Sequence, residues 1–187
     1  IVVVLPGDRV IDPAPAFVRA LARAADAVQR RPDLALLVAA PPRAPVADGW
    51  IEPGAPIDGL EMYAVRTVER IVDGVPPAEG RRLFDTHALA STLVIVGRVD
   101  CLLALGRRHV PDVMEALEPL QPALDTPVEP VLSDALYEAM PERDLAAVER
   151  APELALLPVP DVAWHTSSPR RRRPAPATTV TAAAGRG

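Results

Sequence analysis

The sequence predicts an α/β domain built on a mixed, mostly parallel sheet flanked by helices. Three observations carry that expectation. Ile1-Val2-Val3-Val4-Leu5 is an unbroken apolar run closed by Pro6-Gly7, the pattern of a strand covered on both faces in a parallel sheet. A second apolar run, residues 34–40, follows after one amphipathic segment, so strand, helix and strand form a βαβ unit with a right-handed crossover. Later strand-length runs at 89–96 and 154–159 are separated by helical patterns, which is the alternation of an α/β fold. A strand covered on both faces needs neighbours on both sides, so the domain is expected to be incomplete at its N-terminus. Asp8 stands just past the carboxyl end of that strand, where open α/β sheets place their ligands.

The elements follow in order. Asp12-Pro13 supplies an N-cap and a first-turn proline. Phe17, Leu21, Ala24 and Val28 then share one helical stripe, with Arg19, Arg23, Asp26 and Arg30 on the other faces. The run 34–40 ends at Pro41-Pro42, and residues 41–60, rich in Pro and Gly, read as a long loop. Residues 62–70 alternate enough to be a strand, and 71–77 lead into a turn. Asp100 caps a short helix over 101–105, which Gly106 terminates. Pro111 opens a further helix with Val113, Met114, Leu117 and Leu120 inward, and Pro130 begins another through Leu132, Leu136 and Ala139. Residues 161–164 either continue the strand at 154–159 or lie beside it. Beyond Ser167 the composition collapses into Arg, Pro, Ala and Thr, which cannot bury enough apolar surface to order itself. The expected organisation is one domain over 1–168 and a disordered tail over 169–187.

Composition narrows the function. The 187 residues are enough for one domain with a real core. Apolar residues make up 49% but aromatics only 3%, so the core must be built from Ala, Val and Leu. There is no Lys, so any phosphate-binding cation is an Arg, a planar fork and not a point charge. The formal charge is −5, yet residues 170–187 hold five Arg and no acid, leaving 15 Arg against 25 Asp and Glu in the body. An acidic body argues against a nucleic-acid-binding face, which needs clustered cations. Arg171 to Arg173 read as a solvated tail. Cys101 is the single cysteine, which excludes a disulfide framework, and its apolar surroundings suggest a buried structural thiol. No apolar run approaches the ~20 residues of a membrane helix and no signal peptide stands out. A cytoplasmic protein without a membrane partner is expected.

Five segments, taken in order, resemble one family. Pro6-Gly7-Asp8-Arg9-Val10-Ile11 is similar to the strand-end "P-A-D-H-x-I" of sugar-phosphate nucleotidyltransferases, notably mannose-1-phosphate guanylyltransferases. Gly49-Trp50-Ile51-Glu52-Pro53-Gly54 is similar to their "Y-G-Y/W-I-E-x-G". Val68 to Gly74 resembles "V-x-R-F-V-E-K-P", and Ala88 to Val96 resembles "A-L-W-N-T-x-V-x-V". Leu156 to Trp164 is similar to "L-P-V-P-D-V-G-W". The ordered set covers most of residues 1–169 and is moderately specific.

The resemblance implies a Rossmann-like nucleotide-diphospho-sugar transferase fold. It implies that a sugar-1-phosphate oxygen attacks the α-phosphorus of a nucleoside triphosphate, GTP being the expected one, to give a GDP-mannose-type product and pyrophosphate. Such in-line transfer rests on positioning and charge neutralisation, with Mg²⁺ as the implied cofactor. Asp8 would be the catalytic metal ligand; the alternative is a loop carboxylate capping a nearby amide. Gly49, Trp50, Asp73 and Ser91 would bind substrate. Glycine permits close approach and an indole face suits a pyranose, although a turn glycine and a half-buried Trp would read the same way. Glu52 reads as a solvated loop acid, and His87, His109 and His165 show no metal-ligand spacing.

The departures point the other way. The family's Glu-Lys-Pro is Asp73-Gly74-Val75, without the cation. Its Trp-Asn is Ala90-Ser91, without the amide. The segment after Trp164 is His165-Thr166-Ser167 where the family carries a second metal carboxylate. The glycine-rich phosphate loop would precede Ile1 and is absent from this sequence. The chain is therefore expected to be impaired or inactive alone. Two rivals stand beside that reading: a non-catalytic homologue that regulates or binds a partner, and an unrelated α/β interaction domain.

Overall fold

The computed structural model describes residues 1–7, 9–47, 49–143 and 146–166; Asp8 and the tail expected over 169–187 lie outside them. The strands are β1 (Val2–Val4), β2 (Arg9–Asp12), β3 (Ala35–Ala40), β4 (Gly49–Pro56), β5 (Arg66–Asp73), β6 (Leu89–Gly97), β7 (Leu154–Pro158) and β8 (Ala163–Thr166). The helices are α1 (Ala14–Arg30), α2 (Pro77–Asp85), α3 (Val99–His109), α4 (Pro111–Leu117), α5 (Glu129–Ala139) and the single turn α6 (Ala146–Glu149). Six strands form one sheet in the order β1-β6-β3-β7-β5-β4, and β2 pairs with β8 in a separate two-stranded ribbon.

The sheet is mixed, but the expectation of mostly parallel pairing is corrected. Among the described residues only β3 and β7 pair in parallel, while β1–β6, β3–β6, β5–β7, β4–β5 and β4–β6 are antiparallel. The reason is β6. It enters between β1 and β3 and runs against both, so β1 and β3 keep the common direction of a βαβ crossover without touching. Strand direction was legible in the pattern, and the inserted neighbour was not. Among the described residues, parallel pairing belongs to β3 and β7.

The first strand is likewise not central. It lies at the sheet edge, where Val3 packs on the core while Val2 and Val4 are 38% and 45% exposed. Alternation does this: one face meets the core and the other is bare among the described residues. The central strand is β3, whose six residues are all buried. Its Leu36, Val38 and Ala40 join Phe17, Ala20, Ala24 and Val28 of α1, and its Ala35, Leu37 and Ala39 join Leu105 and Ala151 on the opposite face. The α1 stripe therefore packs as its spacing indicates, with Leu21 at the edge of the contact.

Three further elements differ from the sequence reading. β4 occupies the middle of the expected 41–60 loop. Its Pro53, Gly54 and Pro56 disguise it, and the strand tolerates them by breaking register at Glu52/Pro53 and Pro53/Pro56. α2 was hidden because it is polar and buries only Gly80 and Leu83. α3 runs through Gly106 and does not stop there, because that glycine lets Met114 approach: an added Cβ would stand 2.7 Å from its sulfur. Cys101 is half-buried in α3, where burial first and then Asp100 raise its thiol pKa. No helix among the described residues is long and apolar enough to cross a membrane.

Where α3 meets β7, Glu153 pairs with Arg108 and with His109 Nε2 at 3.1 Å. Its own backbone N–H, then Arg108 and His109, hold the Glu153 carboxyl below the ordinary value of 4.5. A depressed carboxylate stabilises the fold above its unfolded pKa, and the contribution is lost as pH falls through the folded one. Glu153→Gln is therefore expected to lower the melting temperature modestly at neutral pH, where the contribution is present, and to flatten the acid limb below pH 4.5, where the two chains converge. An acid limb identical to that of the parent chain would contradict this linkage.

Candidate functional site

The site begins with an irregularity in β6. Val38 of β3 faces Val94, but the next residue, Ala39, faces Ser91, so Thr92 and Leu93 are pushed out of register. Thr92 makes this bulge stable. Its buried hydroxyl donates to the Val38 carbonyl at 2.6 Å and accepts from the Val94 N–H at 3.2 Å. Leu93 is held at φ 60, a left-handed conformation that is rare for a branched residue, and its N–H donates to Ser91 Oγ at 3.1 Å. Bulges of this kind re-aim side chains and recur beside functional sites. Here the re-aimed residue is Ser91, whose O–H donates to no described residue.

The open end of the β4–β5 ribbon reaches the same place. Gly49 faces Asp73 across the ribbon, and Trp50 pairs with Ala90 at the start of β6. A Cβ on Gly49 would stand 2.8 Å from Asp73 Oδ1 and 3.5 Å from Ser91 Cβ. Gly49, Asp73 and Ser91 thus meet, and only glycine fits between the other two as they stand. Asp73 is also bound by Arg150, from the segment between α6 and β7. Trp50 takes the opposite direction. Its ring is 1% exposed and packs with Leu83 and Ala88 under α2, so it shapes the site through its backbone and offers no face to a sugar. Alternation along β4 decides this, since a neighbour of a site-facing residue points away. Glu52 is not a freely solvated acid either: it pairs with Arg70 at 2.6 Å and Arg82 at 3.5 Å.

Ser91 lies on the wall of a cleft of about 300 Å³, beyond the carboxyl end of β3, together with Arg9, Pro42, Arg43, Ala47 and Trp164. That volume suits a small ligand, and the position fits the rule for open α/β sheets. The described lining carries two guanidinium groups and no carboxylate, a local reversal of the chain's acidic balance. Arg9 is the fourth residue of a segment singled out above. Arg43 was missed because it sits in a stretch read as loop; the absence of Lys, which makes every loop Arg a candidate anion ligand, was the available signal. Arg150 was missed because its contact with Asp73 spans 77 residues.

Among the described residues no three His, Cys, Asp or Glu side chains come together to hold a metal ion. The described cleft lining, with its guanidinium groups, does not fit Mg²⁺ by itself. Asp8, the expected ligand, lies outside the described residues, as does the side chain of His165. His87 and His109 belong to no such group: His87 is exposed and His109 is tied to Glu153.

Comparison with known proteins agrees on architecture. No family model matches the chain, and no curated protein matches it. Solved structures do. A mannose-1-phosphate geranyltransferase from Thermus thermophilus is similar with a TM-score of 0.69 and 23% identity over 87% of this chain. A mannose-6-phosphate isomerase from Helicobacter pylori is similar with a TM-score of 0.65 and 16% identity, again over 87%. The fold is shared with enzymes named for mannose phosphates. The chain spans 45% of the first of these proteins and 62% of the second.

Proposed function

We propose that this chain is a nucleotidyltransferase of the mannose-1-phosphate guanylyltransferase type, impaired in turnover by its own substitutions. The reaction class joins a sugar 1-phosphate to the α-phosphorus of GTP and expels pyrophosphate. The observation that carries the reading is the meeting of Gly49, Asp73 and Ser91 beside a cleft lined by Arg9 and Arg43. Three residues picked out by one ordered resemblance would have no reason to converge in an unrelated domain. The shared fold with the two mannose-phosphate enzymes supports the same reading.

Each group has a role it can perform. The Arg9 and Arg43 forks suit phosphate oxygens, in bidentate geometry that an ammonium lacks. The Ser91 O–H can donate to a sugar hydroxyl, and the Asp73 carboxylate can accept from one while Arg150 holds it in place. Gly49 lets the Asp73 carboxylate and Ser91 close over the backbone, so that both can face one ligand. The described lining alone would not hold Mg²⁺, so a metal would need Asp8 as its ligand. Gly74 supplies no cation and Ser91 no bidentate amide, so sugar orientation is weaker than the resembling family's pattern allows.

A second reading, a non-catalytic regulatory or partner-binding homologue, is favoured by those same two positions. Incubation with GTP, mannose 1-phosphate and Mg²⁺ addresses turnover: no pyrophosphate release is expected, and release would overturn the impairment. Calorimetry addresses binding: mannose 1-phosphate should bind saturably, at least tenfold more weakly to Arg43→Gln. A chain that binds no mannose 1-phosphate would refute the transferase reading in favour of the second.

A further inference from the structure

A second cavity, of about 290 Å³, lies between α1 and the turn that joins β7 to β8, and it shares no lining residue with the cleft described above. Arg19 and Arg23 line it from the helix, and Val159, Pro160 and Asp161 from the turn. The two arginines are four residues apart, one above the other on a single helical face, so both forks border the same space. Seven other arginines, Arg31, Arg70, Arg82, Arg98, Arg108, Arg143 and Arg150, are engaged by carboxylates. Arg19 and Arg23 are paired with no carboxylate among the described residues, although the chain has an excess of acids and Asp161 borders the same cavity. Moreover, Arg23 Nε is buried and has no hydrogen-bond partner among the described residues. Buried donors without an acceptor are uncommon in folded proteins, because the lost hydration is not replaced. A ligand oxygen would replace it once the guanidinium turns toward the cavity that Arg23 lines.

We infer that this cavity is an anion site for a small molecule carrying a phosphate or carboxylate group. The Arg19 and Arg23 forks supply charge-assisted donors to the oxyanion. Val159 and Pro160 provide an apolar wall, and Asp161 accepts from a hydroxyl on the same ligand. The cavity volume restricts the guest to metabolite size. The acid beside the two cations selects a hydroxylated anion over a bare polyanion, which Asp161 would repel.

Two-dimensional NMR of the full chain tests the site, read at the Arg23 Nε–Hε signal and at the Ala20 and Val162 amides. Inorganic phosphate and acetate are titrated separately, with chloride at matched ionic strength as control. Saturable shifts with phosphate, with acetate or with both are expected, at dissociation constants on the order of millimolar, and the more effective probe identifies the group. Arg23→Gln should weaken that binding at least tenfold at the Ala20 and Val162 amides. Arg19→Gln, at an exposed position that leaves the core intact, should weaken it several-fold, and Ser91→Ala in the cleft should leave it unchanged. Shifts no larger than chloride produces, or unaltered binding in the Arg19→Gln chain, would overturn the inference.

Discussion

Trp50→Ala is expected to destabilise the chain by about 3–5 kcal/mol, the range for removing a fully buried indole. The ring is 1% exposed, and with Leu83 and Ala88 it forms the small core that fixes α2 to the β4–β5 ribbon. Against a total stability of roughly 5–15 kcal/mol for a domain, that loss is large enough to unfold a sizeable fraction of molecules. Trp50→Phe keeps most of the volume and should cost far less. Urea denaturation measures both. If Trp50→Ala retained near-parental stability and lost only ligand affinity, the ring would belong to the binding surface and the core assignment would fail.

Thr92→Val should cost about 2 kcal/mol or more, an unusual amount for a change that preserves shape. The hydroxyl is buried at 1% exposure and serves two backbone groups, the Val38 carbonyl and the Val94 N–H. Valine removes both contacts, and each backbone group left unmet costs about 1–3 kcal/mol before relaxation. The functional effect is expected to exceed the stability effect, because the same hydroxyl fixes the bulge that aims Ser91. Thr92→Ser keeps the hydroxyl and should restore most of both. Equilibrium denaturation beside mannose 1-phosphate calorimetry separates the two effects. A stable Thr92→Val chain with parental affinity would show that the bulge does not position the site.

How much of this was legible in the sequence depends on whether the signal was local. The α1 stripe from Phe17 to Val28 and the buried run at residues 34–40 could be read because periodicity and burial coincide there. β4 could not, because Pro53, Gly54 and Pro56 contradict a strand unless a neighbouring strand accommodates the broken register, and the sequence does not name that neighbour. The same limit turned an expected parallel sheet into a mostly antiparallel one: β6 pairs with β1 from about ninety residues away. Within the candidate site, Gly49, Asp73 and Ser91 were found through a resemblance of short segments, and the ladder brings them together. The matched segment offers Trp50 equally as a sugar-facing ring and as a half-buried one, and the strand decides between them by sending adjacent side chains to opposite faces, which buries the indole. Arg43 and Arg150 lay outside every matched segment, and only the fold reveals what they face.

The same chemistry explains why an acidic chain could still bind an anion. Charge balance over a whole domain sets its long-range field, whereas a cleft is governed by the few groups that line it. The described lining holds Arg9 and Arg43 and no acid. The central claim is that Gly49, Asp73, Ser91 and this cleft form one sugar-phosphate site. Amide NMR mapping of mannose 1-phosphate, in the Arg23→Gln chain so that the second cavity does not contribute, tests it most directly. Saturable shifts that share one dissociation constant and cluster at Gly49, Ser91, Leu93 and Asp73 are predicted. Shifts that fall elsewhere, or none at all, would contradict it.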